Sequence, residues 1–147
     1  MRAWLFALLA LMVALPAHAE ERSYEVGQVW AYEVDNAGDD GALIIQRIDR
    51  AEETGWPTDI YHISMVVEVQ LGEMDQLEIG HLPVSRETLD SAVTQPSERD
   101  MIVFADWNEG YKEWQRAEGG VFTVGLSEVI DVLLEIMAPR TAHSAQQ

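Results

Sequence analysis

The chain contains no cysteine, so it can form no disulfide framework, thiol nucleophile or thiolate metal site. Basic residues are scarce as well. Nine Lys and Arg stand against 26 Asp and Glu, giving a net charge of −17, a field that repels nucleic acid and anionic membrane surfaces and favours encounter with cationic partners. G-x-S-x-G, the phosphate-binding G-x-x-x-x-G-K-[ST] loop and H-E-x-x-H are also missing, so no serine elbow, phosphate cradle or zinc-peptidase helix is encoded. The single long apolar run, Ala3 to Leu15, is too short and wrongly flanked to span a bilayer.

That run has another use. Arg2 before it and the small-residue triplet Ala17–His18–Ala19 after it form a secretory leader, so residues 1–19 are expected to be removed and the product to be periplasmic or secreted. No cysteine follows the run, and no lipid or membrane anchor is expected. Losing Arg2 leaves eight basic against 26 acidic residues, a net charge of −18. With no cross-links, stability has to come from the core, and a single domain over residues 20–138 is long enough to bury one.

Alternation dominates the middle of the chain. Val26, Trp30, Tyr32 and Val34 share one parity, "ALIIQRID" follows the turn-forming Asp35 to Gly41, and Tyr61, Ile63, Met65, Val67, Val69 and Leu71 point one way along a long strand. Matching apolar residues sets Val69 opposite Ile79 and Leu71 opposite Leu77, with His81 across from Val67. Ser85 is a suitable N-cap for a short helix bearing Leu89 and Val93, closed by "TQPS"; Met101 to Ala105 and "VFTV" read as further strands. Leu126, Ile130, Leu133 and Met137, widened by Val129 and Ile136, form the apolar stripe of a C-terminal helix, and residues 139–147 read as a disordered tail. The fold class is α+β: an antiparallel sheet of about five or six strands, in hairpins, packed against the C-terminal helix and one or two short helices, with that helix and the aromatic segment on one face.

Between Asp106, followed three residues later by Glu109 as in a capping box, and the Gly119–Gly120 stop, Trp107, Tyr111 and Trp114 fall at helical spacing. Burying an indole contributes about 4–6 kcal/mol gross at the usual area coefficient, so these rings are expected on the inner face of a helix of about three turns, despite the cost of Gly110 within it. Trp56, beside Pro57 on a turn, is the aromatic expected to be exposed.

Chemistry is sparse. His62 and His81 are expected on opposite faces of the sheet, unable to share a metal or a proton, each satisfied by backbone or a nearby carboxylate. The acidic turn at residues 35–41 fails as a calcium loop, since Ala37, Asp40 and Gln46 stand where an oxygen ligand, a glycine and a bidentate glutamate are required. No catalytic residue, metal or cofactor is therefore assigned. The expected function is non-enzymatic: an acidic exported protein binding a basic macromolecule, in the manner of an inhibitor or immunity protein. The alternative is a small-ligand or peptide binder with a pocket between sheet and helices lined by Trp30, Tyr61, Trp107, Tyr111 and Trp114, with Trp56 a further contact. A hydrolase of unassigned type is third.

"GQVWAY" at Gly27 to Tyr32, "YHI" at Tyr61 to Ile63, "GHLPVSRETLDSAV" at Gly80 to Val93, "GYKEWQRA" at Gly110 to Ala117 and "GGVFTV" before the last helix together resemble a family of small bacterial proteins without an established activity. The resemblance implies one compact α+β unit and carries over no functional residue.

Overall fold

The computed structural model describes residues 22–33, 41–71, 74–98, 100–101 and 106–137. The expected leader, most of the acidic turn, most of the strand at residues 101–105 and the C-terminal tail lie outside them. In chain order the elements are β1 (Val29–Tyr32), β2 (Gly41–Asp49), α1 (Ala51–Thr54), β3 (Ile60–Leu71), β4 (Met74–Val84), α2 (Arg86–Ala92), β5 (Val93–Pro96), α3 (Trp107–Arg116) and α4 (Leu126–Met137). The strands form one antiparallel sheet in the order β4-β3-β2-β1-β5, an α+β architecture.

One face carries the main core. Odd-numbered residues of β3 point into it, and Tyr61, Ile63, Met65 and Val67 are buried there with Trp30, Tyr32, Leu43, Ile45, Leu82 and Val84. Helices α2 and α4 cover them through Leu89, Ala92, Leu126, Val129 and Ile130. Ser85 caps α2 as its sequence position predicts, its Oγ accepting from the Thr88 amide at 3.3 Å.

Several expectations are corrected. Val26 is 61% exposed, because Gly27 at φ 88° turns the chain before β1 and breaks the alternation. Val93 ends α2 and opens β5, whose Pro96 is tolerated on an edge strand where a read-through helix was to stop. "VFTV" contributes only a bridge from Phe122 to Val84. Ile136 does not join the α4 stripe and is 72% exposed.

In the β3–β4 hairpin, Met65 opposes Ile79 and Val67 opposes Leu77, four positions from the expected register. A slip by an even number of residues leaves the same faces in contact, so apolar matching fixed the faces without fixing the pairing. The aromatic helix α3 does not share a face with α4. It lies on the far side of the sheet, against the even-numbered residues of β3.

Candidate functional site

Two one-residue irregularities in the sheet assemble the site. On β2, Ile45 pairs with Ile63 and Arg47 with His62, leaving Gln46 as an extra residue. On β4, Gly80 and His81 together face the single residue Ser64 of β3. Each bulge inverts the alternation beyond it. Arg47, Asp49, His62 and His81 therefore all project toward α3, where an unbroken alternation would have sent His81 to the opposite face. Ser64 is fully buried between the two bulges, accepting from Gln46 Nε2 at 3.0 Å and donating to the Gly80 carbonyl at 2.6 Å. One hydroxyl fastens both irregularities.

The histidine expectation is thus overturned. The rings of His62 and His81 stack with centroids 5.2 Å apart, and His62 Nδ1 lies 3.0 Å from His81 Nε2. On its other side His62 Nε2 lies 3.2 Å from Asp49 Oδ2. Asp49 is acceptor-only when ionised, so His62 carries its proton on Nε2 and donates it to Asp49, while its Nδ1 accepts a hydrogen bond from the Nε2–H of His81. The expectation that a nearby carboxylate satisfies His62 does hold.

Electrostatics favour this neutral chain. Burial pushes the His62 imidazole down to about 4, against the pull of Asp49 in the other direction, and burial lowers His81 as well. The contact between His62 and Asp49 is therefore a hydrogen bond from a neutral ring. For Asp49, burial acts upward, but hydrogen bonds from Arg47 Nε at 2.5 Å and the Tyr111 hydroxyl at 3.0 Å outweigh it and hold the carboxyl below its ordinary range. The Arg47 guanidinium also lies 5.0 Å from the centroid of the Tyr111 ring, and Gln115 Nε2 donates to the Tyr111 hydroxyl at 3.1 Å.

Helix α3 rests directly on this network, and Gly110 is the reason it can. A Cβ there would fall 2.7 Å from His81 Cβ, so the glycine that weakens the helix by propensity is needed for the close approach. Tyr111 is buried, Trp107 and Trp114 are half-buried, and Trp114 meets the His62 ring edge-on at 4.8 Å. The rings thus face inward, as expected. Asp106 does not cap α3 with its side chain; the carboxylate lies over Gly80 instead. The helix ends at Arg116, ahead of the expected glycine stop, with Glu118 taking the left-handed conformation at φ 49°.

Trp114 reaches past this end. Its indole packs on Gly119, its Nε1 donates to the Gly120 carbonyl at 2.9 Å, and its face stacks on Trp56 with centroids 6.3 Å apart and planes 26° from parallel. Trp56 is 37% exposed, in line with its turn position. Between α1 and the end of α3 the two indoles border an open cleft of about 340 Å³ that also meets Asp49, Thr54, Gln115 and Glu118.

The proposed aromatic set is therefore split. Trp30 and Tyr61 belong to the core face, each edge-on to Tyr24, while Trp56, Trp107, Tyr111 and Trp114 gather on the other side. No pocket holds all of them, because the sheet stands between. Sequence spacing does not by itself mark Asp49, Arg47 or Glu118 as site residues. The trace they leave is Arg47 and Asp49 two apart in an apolar strand, a charged pair sharing one face. No protein-family model matches this chain, and no curated protein or solved structure gives a match.

Proposed function

We propose that this is a binding protein whose cleft between α1 and α3 receives a cationic group, such as a basic side chain presented by a protein partner. One observation carries the reading: a partly exposed, stacked Trp56–Trp114 pair beside Glu118 and Asp49, on a chain of net charge −17. Indole faces attract cations by their quadrupole, by about 0.5–2 kcal/mol according to desolvation, and the carboxylates add Coulomb attraction. Arg47, held by Asp49 and lying over Tyr111, is an internal instance of the same chemistry. Because Arg47 already neutralises much of Asp49, Glu118 and the overall field supply most of the charge seen by a ligand.

The hydrolase reading draws support from the carboxylate–imidazole–imidazole chain, which resembles the orienting half of a triad. It draws none from the terminal nitrogen, since His81 Nδ1 lies under the α3 backbone, 3.6 Å from where a Cβ on Gly110 would sit.

The test is a titration of intrinsic tryptophan fluorescence with arginine amide and with a lysine-rich peptide, at low and high salt. Binding is expected to shift the emission, to weaken as salt rises, and to fall by about three- to thirty-fold in Trp56→Ala. A response unchanged in that variant, or no response to either probe, would sink the proposal.

A further inference from the structure

On the core side of the same sheet end lies a cleft of opposite character. It is about 260 Å³ in volume and lined by Arg22, Ser23, Tyr24, Arg50, Tyr61 and Arg86. Three of the nine basic residues in the chain converge here, and none of the lining residues is acidic although the chain has 26 Asp and Glu.

The guanidiniums are held from behind. Arg50 Nη1 bonds Asp59 Oδ2 at 2.7 Å, Arg86 Nε lies 3.3 Å from Asp90 Oδ2, and Arg22 Nη1 donates to the Asp90 carbonyl at 3.0 Å. Asp90 Oδ1 also accepts from the Tyr24 hydroxyl at 2.6 Å, the Arg86 guanidinium lies 5.3 Å from the centroid of the Tyr24 ring, and Arg86 Nη2 donates to the Arg22 carbonyl. Glu52 and Glu87 act on Arg50 and Arg86 through space without lining the cleft. Positioned planar forks with several N–H donors each suit a ligand with two or three negatively charged oxygens. Asp59 and Asp90, outside the lining, already offset part of this charge, so the three guanidiniums and two carboxylates together present a residual +1 to an entering anion.

We infer that this cleft binds a small oxyanion, the carboxylate or phosphate group of a low-molecular-weight ligand, at a site separate from the tryptophan cleft. Its size admits such a group with a few further atoms.

The experiment follows the arginine side-chain Nε–H resonances of the ¹⁵N-labelled protein during additions of sodium phosphate and of sodium acetate, each against sodium chloride at matched ionic strength. Saturable shifts at Arg22, Arg50 and Arg86 beyond those in chloride are expected, with affinity reduced about ten-fold in both Arg22→Gln and Arg50→Gln. A native near-ultraviolet circular dichroism spectrum, to which the packed Trp30–Tyr24 pair contributes, verifies that the variants are folded. A response to phosphate alone assigns a phosphate ligand, and a response to acetate assigns a carboxylate. Shifts equal to those in chloride, shifts spread equally to Arg116, or binding unaltered in both variants would each overturn the inference.

Discussion

His62 and His81, nineteen residues apart on neighbouring strands, are joined ring to ring by a 3.0 Å hydrogen bond on the face of the sheet opposite the main core. Arg47 and Asp49 of β2 and Tyr111 of α3 close the network around them. The pH response of the fold follows. Burial lowers His62 to about 4 from an ordinary 6.5, so below pH 6.5 the unfolded chain binds a proton that the folded ring refuses. The stabilisation is complete above about pH 6.5 and lost on descending to about pH 4, amounting to about 3 kcal/mol. His81 acts in the same direction, and Asp49, depressed in the folded state, adds a further loss at lower pH. Urea midpoints measured from pH 7 to pH 4 should fall, and His62→Gln should flatten that dependence; a midpoint independent of pH would contradict the neutral assignment.

Ser64→Ala should destabilise the protein by about 1–2 kcal/mol, since Gln46 Nε2 loses its acceptor and the Gly80 carbonyl its donor in a partly buried setting. Amide exchange should accelerate at both bulges together. Acceleration at one bulge alone would mean that the hydroxyl does not couple them.

Gly110→Ala separates local propensity from tertiary contact. In an isolated helix the change would be favourable by about 1 kcal/mol, but here the new methyl meets His81 Cβ and should cost about 1–3 kcal/mol. Gly120→Ala, with no atom within 4 Å of the added carbon, is the matched control and should be nearly neutral. A stabilised Gly110→Ala protein would show that α3 does not rest on His81.

Glu118 occupies a left-handed conformation costly for a residue with a side chain. Glu118→Gly should raise stability by about 1 kcal/mol while weakening the capture of cationic probes in the Trp56–Trp114 cleft. Thermal melts and the fluorescence titration read the two effects separately. Unchanged affinity would remove Glu118 from the site.

Much of the architecture is readable from periodicity. The odd residues of β3, the capping serine of α2 and most of the α4 stripe follow from spacings of two and of three to four, since burial of one face imposes them. Trp107, Tyr111 and Trp114 are readable as inward-facing for the same reason. Which side of the sheet they cover is another matter, because both sides have a buried layer and helical spacing does not choose between them. The polar network was hidden for a simpler reason. Each bulge is one inserted residue, and a single insertion between Ile45 and Arg47 or between Ile79 and Leu82 leaves the apolar composition of the strand unaltered while exchanging the destinations of all side chains after it.

The irregularity at Gly80 and His81 also bears on whether a second copy could add a strand to this sheet. Among the described residues strand β4 forms one border of the sheet and is eleven residues long, the kind of border on which a second chain could add itself and begin a fibril. The extra residue bends that border midway, Pro83 withholds an amide from it, and Phe122 occupies its end by donating to the Pro83 carbonyl and accepting from the Ser85 amide. The same insertion that delivers His81 to its partner thus denies strangers a straight template, a useful safeguard for a chain with no disulfide to hold it closed.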